Sequence, residues 1–349
     1  MAKVRLSGTV SGSNDTNRET RARMLYLLFA NGWDIYNSNG DQQITLSNIE
    51  KKIKESDAFV FMPGATLEDL FQAVSIFVGY QTLDKHLFGK AAVVLNSGKS
   101  WTPLFELLDS LQELGTIRQS YRKFLLQAKS PEEVIDSLET VQREGVPDVG
   151  REKMKQSSTE SYDTPLPDDH VANVCVFCSA SIEDPAYLED GYQLGKSLAE
   201  NNYGCVSGAG TTGVMGAVVR GSVEAGGWTG GSNVPHIIEI EGLPDGLSSF
   251  WLKPDIYTRM EVMIENSDSF VIFPGGAGTV QELLALLIFK KLGSPLMKDK
   301  PVIIYNRPVE GKGIGFWDKL VSVLKPFAEP GFYQFVDSSE ELMKVIKES

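Results

Sequence analysis

Phe273-Pro274-Gly275-Gly276-Ala277-Gly278-Thr279-Val280-Gln281-Glu282 joins one apolar run, Ser269 to Phe273, to another, Leu283-Leu284-Ala285-Leu286-Leu287-Ile288. The first run reads as a buried strand and the second as a buried helix. A strand that ends in glycines and opens a helix is the physical recipe for an anion site. Glycines let backbone N–H groups close on a phosphate, and the helix N-terminus adds its partial positive charge. Glu282 then sits within reach of whatever those N–H groups hold. The same residues also carry a structural reading: Thr279-x-x-Glu282 is the sequence of a capping box, in which Thr caps the helix and Glu reaches back to the cap N–H.

Upstream, Arg259 falls in Asp255 to Ile264, a helix-like stretch, sixteen positions before Gly275. Pro-Gly-Gly-x-Gly-Thr-x-x-Glu with an arginine at that distance resembles the Lonely Guy (LOG) family of nucleoside-monophosphate phosphoribohydrolases. Members of that family carry an Arg-Lys pair on the helix before the strand; here Arg259 matches and Met260 replaces the lysine. Gln281 is a second departure, where relatives often show another acid. The resemblance covers Val174 to Asn306 well and the first half of the chain only as a decayed echo.

A second glycine loop, Val206-Ser207-Gly208-Ala209-Gly210-Thr211-Thr212-Gly213-Val214-Met215-Gly216, also opens a helix. It follows the strand Val174 to Phe177, which ends at Cys178-Ser179-Ala180-Ser181, and the helix Tyr187 to Asn201. As a dinucleotide fingerprint it lacks the acid expected about twenty positions on, because position 228 is Trp. Two glycine loops at two strand ends suit a short phosphate ligand gripped from both sides of a crevice. The candidate phosphate and substrate contacts are Ser179, Ser207, Gly208, Gly210, Thr211, Gly213, Met215 and Gly216 on one side. On the other they are Met260, Gly275, Gly276, Gly278 and Thr279. Glu239 and Glu241 lie in a strand-like run that could reach a ribose, although neither is a favoured candidate.

Internal similarity organises the whole chain. Glu55-Ser56-Asp57-Ala58-Phe59-Val60-Phe61-Met62-Pro63-Gly64 repeats as Asn266-Ser267-Asp268-Ser269-Phe270-Val271-Ile272-Phe273-Pro274-Gly275, an offset of 211 from Pro63 to Pro274. Ala91 to Asn96 answers Pro301 to Asn306, and Ser130 to Ile135 answers Ser338 to Met343. The expected fold is α/β: a Rossmann-like, doubly wound parallel sheet in two tandem copies. The expected domains are 1–142 and 171–349, with a Ser-, Pro- and charge-rich linker at 143–170. The first copy keeps one glycine in residues 36–40 and then omits roughly forty residues. Its later loop, Pro63-Gly64-Ala65-Thr66-Leu67-Glu68-Asp69, is two residues shorter. Asn48 and Asp69 stand where the second copy has Arg259 and Glu282, so the first copy reads as catalytically inactive.

The net charge of −13 disfavours nucleic acid as a partner. No run is long and apolar enough for a membrane span, and the amino terminus has no signal-peptide core, so a cytoplasmic location is expected. Cys175, Cys178 and Cys205 lack metal spacing and suit a reducing compartment, with core filling as the plain reading. His86, His170 and His236 are scattered, so neither a metal site nor a Ser/His/Asp triad emerges. The resemblance implies hydrolysis of a nucleoside 5′-monophosphate to free base and ribose 5-phosphate without a cofactor. It places Glu282 at the sugar and has Arg259 pair with the ligand or orient Glu282. It also implies a homodimer, a contact that two fused copies would satisfy within one chain as a pseudo-dimer. A non-catalytic carrier of a nucleotide or phosphorylated cofactor is the alternative from another class. The label lysine decarboxylase, attached to some relatives, finds no support, since nothing marks a pyridoxal-phosphate site.

Overall fold

A computed structural model describes residues 2–7, 15–36, 46–82, 84, 86–87, 89–117, 120–146 and 160–348. The chain divides into two compact units, Met1–Gln112 with Ile117–Gly150, and Glu113–Thr116 with Arg151–Ser349. In the first, β1 (Lys3–Ser7), α1 (Asp15–Ala30), β2 (Asp34–Tyr36), α2 (Leu46–Glu55), β3 (Ala58–Phe61), α3 (Leu67–Gln81), β4 (Ala91–Leu95), α4 (Thr102–Glu113), β5 (Leu125–Ala128) and α5 (Pro131–Glu144) alternate. All five strands are parallel, in the order β2-β1-β3-β4-β5.

The second unit begins with β6 (Asn173–Phe177), α6 (Pro185–Glu200), β7 (Gly204–Ser207), α7 (Gly213–Glu224), β8 (Thr229–Asn233), α8 (Pro235–Glu241) and β9 (Ser249–Leu252). It continues with α9 (Ile256–Glu265), β10 (Ser269–Ile272), α10 (Ala277–Lys291), β11 (Val302–Tyr305), the short hairpin β12 (Pro308–Val309) and β13 (Ile314–Gly315), α11 (Asp318–Leu324), β14 (Gln334–Val336) and α12 (Ser339–Glu348). Its seven-stranded sheet runs β14-β11-β10-β6-β7-β8-β9. Strands β3, β4, β6, β10 and β11 are buried at every residue, as strands covered by helices on both faces must be.

Pairing registers show how the copies relate. Lys3 pairs with Asp34 as Asn173 pairs with Gly204, both members shifted by 170 residues. Val4 pairs with Ala58 as Val174 pairs with Ser269, the second member now shifted by 211. The difference, 41 residues, is the length that the second copy adds between its second and third strands. Those residues build α7, β8, α8 and β9. Small contacts repeat too. The Asp57 carboxylate accepts from the Lys3 N–H at 2.7 Å, and Asp268 accepts from the Asn173 N–H at 2.8 Å. Lys90 Nζ donates to the Ile53 and Lys54 carbonyls at the end of α2, and Lys300 Nζ donates to the Ile264 carbonyl near the end of α9.

Helix α7 sits close on α6 because glycines face it. A Cβ on Gly195 would lie 2.0 Å from the Val218 carbonyl, and one on Gly221 would lie 2.1 Å from the Tyr192 carbonyl. The residues of α1 at the places of Gly191 and Gly195 are Arg21 and Leu25, at the same offset of 170. Residues 160–164, inside the stretch read as a linker, line the outer edge of the second sheet. Tyr162 bridges Phe250 on β9 in antiparallel fashion, and Thr164 bonds Ser248 and Ser249. The rest of that stretch comprises the end of α5, residues 145–146 and 165–170, which form no helix or strand, and residues outside those described. Glu239 and Glu241 lie on a helix and not on a strand. Pro235 starts α8 at its first turn, and Gly242, with φ of +74°, ends it.

Candidate functional site

The site lies at the carboxyl ends of the strands in the second unit, where the order reverses between β6 and β10. Glycines of the β7–α7 loop are dictated by close approach. A Cβ on Gly208 would fall 2.0 Å from Arg259 Nη2, and one on Gly213 would fall 2.6 Å from the Ala180 backbone. Gly213 also has φ of +59°. Ser179 and Ser207 are buried and serve the loops themselves. Ser207 Oγ accepts from the Ala209 N–H at 3.2 Å, Ser179 Oγ accepts from the Ser181 N–H at 2.9 Å, and the Ser179 carbonyl takes the Met215 N–H at 3.1 Å. Met215 Sδ accepts the Gly210 N–H at 3.2 Å. Three N–H groups of this first loop region, those of Ala209, Gly210 and Met215, are thus engaged within the protein. Thr211 Oγ1 donates to the Glu241 carbonyl, and a Cβ on Gly216 would lie 2.2 Å from the Thr211 carbonyl.

Arg259 enters from α9, whose N-terminus Asp255 caps by accepting from the N–H groups of Tyr257 and Thr258. Its Nε donates to the Ser232 carbonyl at the end of β8 at 2.9 Å, and Nη2 donates to the Gly208 carbonyl at 3.3 Å. Nη1 then stands 3.9 Å from Glu282 Oε1. With Arg259 9% and Glu282 6% exposed, the two charges face each other with little water between them. One guanidinium therefore ties β7, β8 and α10 together. Met260, beside it, is buried at 1% exposure and brings no polar group to the place of the family lysine.

The second loop is the open one. Helix α10 begins at Ala277 with Gly276 as its N-cap, and no side chain caps it. Thr279 sits three residues past that cap, its side chain packed over the α-carbon of Gly275, so Thr279 and Glu282 form no capping box. A Cβ on Gly278 would meet nothing within 4 Å. The first N–H groups of a helix have no partner within it, and a helix N-terminus favours negative charge. Glu282, on α10 and buried, has its pKa raised to about 7. Burial is the main cause, Glu241 adds to it, and Arg259 opposes it. The carboxyl group is thereby poised to exchange a proton near neutrality.

Glu241 is the residue whose part the sequence reading undervalued. Its Oε2 would lie 3.2 Å from a Cβ on Gly210, and its charge reaches Glu282. Pro235 and Gly242, as helix start and stop, are the signals that place it at the end of α8 beside the first glycine loop. Glu239 is half-buried on the same helix. The three cysteines are buried, with thiol pKa values pushed up by burial, as core fillers are. Among the described residues no three His, Cys, Asp or Glu side chains are placed to hold a metal ion, and no helix is long and apolar enough to cross a membrane. In the first copy, Asn48 falls on α2 but its side chain is not among those described, and residues 37–40 lie outside the described residues.

Fold and site together define an α/β protein with two glycine loops and a buried Glu–Arg pair at the strand ends. The family model described as "possible lysine decarboxylase" matches residues 28–138 and 215–349, more than half of the chain and a segment of each copy, and the chain belongs to that family, the LOG family. The chain is 28% identical over 194 residues to a probable cytokinin riboside 5′-monophosphate phosphoribohydrolase, LOG4, of Oryza sativa subsp. japonica, covering 51% of this chain and 78% of the relative. It is 30% identical over 165 residues to cytokinin riboside 5′-monophosphate phosphoribohydrolase LOG1 of Arabidopsis thaliana, covering 46% and 71%. Among solved structures, the Moco carrier protein of Chlamydomonas reinhardtii aligns with 18% identity over 51% of this chain and 96% of its own, with a TM-score of 0.38.

Proposed function

We propose that the second copy hydrolyses the N-glycosidic bond of nucleoside 5′-monophosphates, of the AMP or cytokinin riboside monophosphate type, to free base and ribose 5-phosphate. The observation that carries this reading is the buried Glu282–Arg259 pair beside an uncapped helix N-terminus. A 5′-phosphate at the N–H groups of Gly276 to Thr279 would bring the sugar toward Glu282. Breaking the bond leaves positive charge on the sugar ring, which the ionised Glu282 stabilises. Water attacks the anomeric carbon and its proton passes to Glu282, while the base departs with the bonding electron pair and takes a proton from solvent, to which Glu282 then returns its own. Arg259 holds Glu282 in place and favours its ionised form. Remote phosphate binding fixes the reacting centre. The first copy is assigned no catalytic role.

Purified protein is incubated with a panel of nucleoside monophosphates and free base is measured by chromatography. AMP should exceed adenosine by at least about a hundredfold in kcat/KM, since charge-assisted bonds to the phosphate contribute about 1.5–3 kcal/mol each. Ribose 5-phosphate should inhibit competitively. If adenosine matches AMP, the α10 terminus is not a phosphate site. If AMP binds tightly and is never cleaved, the chain is a nucleotide carrier, with Met260 the first residue to exchange for lysine.

A further inference from the structure

The duplicated fold carries an internal reference for one of its own cavities. In the first copy the seam between α1 and α5 is closed. Met24, Leu28, Met62, Val134, Ile135 and Leu138 belong to one buried cluster, with Leu27 and Val141 packed against it. Arg23 Nε and Glu132 Oε1, 2.9 Å apart, join the two helices at the surface. In the second copy the corresponding seam, between α6 and α12, holds a cavity of 590 Å³.

The residues that differ explain the opening. Leu194, Phe273 and Leu342 form its floor at the places of Met24, Met62 and Val134, so the seam itself is retained. Ser197 stands where the first copy has Leu27, which removes most of an apolar side chain from the gap. Gln193 stands where the first copy has Arg23, and it donates to Glu189 on its own helix at 2.8 Å. Both the filler and the cross-link of the first copy are therefore replaced. Met343, at the place of the buried Ile135, is half-exposed on the cavity wall. The cavity opens to solvent past the exposed Ser339, Glu340, Lys344, Lys347 and Glu348, and its volume falls among those of small-molecule sites, about 300–1,000 Å³.

We propose that this cavity is a binding site for a small, uncharged, largely apolar molecule carrying hydroxyl or amide groups. The floor offers only apolar surface, and the hydroxyls of Ser197 and Ser339 and the amide of Gln193 are uncharged polar points on the wall. At the mouth Lys344 and Lys347 are matched by Glu340 and Glu348, with Lys344 and Glu348 4.0 Å apart, so a net charge on the ligand meets both signs equally. The site is separate from the nucleotide cleft. It borders that cleft only through Phe273, the residue before Pro274-Gly275-Gly276.

The test uses the full chain and the neutral fluorophore N-phenyl-1-naphthylamine. The wild type should bind one equivalent with a rise in fluorescence, and saturating AMP should not displace it. Ser197→Leu, which restores the side chain of the first copy, should weaken binding at least about tenfold while circular dichroism stays unchanged. Met343→Trp, which fills the same space from α12, should do likewise and decides the matter if Ser197→Leu fails to fold. The proposal is overturned if the wild type does not bind the probe, if AMP displaces it, or if a folded filling variant binds it as well as the wild type.

Discussion

Each copy carries a threonine–acid tetrad just after its proline–glycine turn, and the two copies use it for different things. In the first, Thr66 is the N-cap of α3. Its hydroxyl accepts from the Asp69 N–H at 3.2 Å, and the Asp69 carboxylate accepts from the Thr66 N–H at 3.0 Å, closing a reciprocal capping box. In the second, the loop has two more residues before the threonine, and the helix starts one residue sooner after the strand. Thr279 and Glu282 end up three positions deeper, about 4.5 Å along the axis. Gly276 takes the cap without a side chain, and Glu282 is released to face Arg259. Asp69 is instead fixed on backbone N–H and hydroxyl groups, with Arg5 and Arg21 as its nearby charges. Two glycines thus separate a carboxylate that holds a helix from one that faces a buried guanidinium.

The largest effect expected from this contrast is on turnover. Glu282→Gln keeps the side-chain volume and removes the charge, so AMP hydrolysis should fall by at least about a hundredfold in a folded protein. Asp69→Asn should leave the rate per folded molecule unchanged. Equal losses in both variants would end the distinction between the copies. Titration calorimetry should count one nucleotide per chain, and two equivalent sites would do the same damage.

A second effect is on stability against pH. Burial raises the pKa of Glu282 from 4.5 to about 7, so the folded state favours the protonated form. The stabilising contribution is complete below about pH 4.5, declines as pH rises through 7, and is gone above that. Linkage puts the full swing on the order of 3 kcal/mol. Urea titrations at pH 5 and pH 8 should show the wild type losing stability relative to Glu282→Gln over this interval. A constant difference would mean that Glu282 titrates at its ordinary pKa. Removing Arg259, which holds the pKa down, should move the acid limb of the kcat/KM profile to higher pH in Arg259→Met.

The smallest effect concerns the cap. Thr66→Ala should cost about 1 kcal/mol of unfolding free energy through the lost bond to the Asp69 N–H, with AMP turnover intact. Thr279→Ala has no cap to lose, and its effect should appear in KM for AMP. Reversal of these two outcomes, measured by denaturation and by kinetics, would mean that α10 begins later than Gly276.

Much of this architecture was legible from the residues because parallel strands covered on both faces leave uninterrupted apolar runs, and glycine turns mark where they end. The repeat from Glu55 to Gly64 and from Asn266 to Gly275 carried the tandem arrangement. One reading went astray, and one alternative fell away, for local reasons. Ile238-Glu239-Ile240-Glu241 alternates like a strand, but Pro235 and Gly242 bound it as a helix. Thr279-x-x-Glu282 has the pattern of a cap, but an uncapped glycine three residues earlier starts the helix instead. The anchors of Arg259 could not be read at all. They are the carbonyls of Ser232 and Gly208, groups that every residue type possesses.

Lys300 has one more consequence. Asp255 fastens the first turn of α9 and the Lys300 ammonium fastens its last, while Lys90 holds the end of α2 in the same manner. A helix held at both ends presents its side chains from a fixed platform, so Arg259 reaches Glu282 without ordering any backbone when a ligand arrives. The entropy of assembling the charged pair is then spent in folding and not in binding, which leaves more of the ligand's interaction energy for affinity and catalysis.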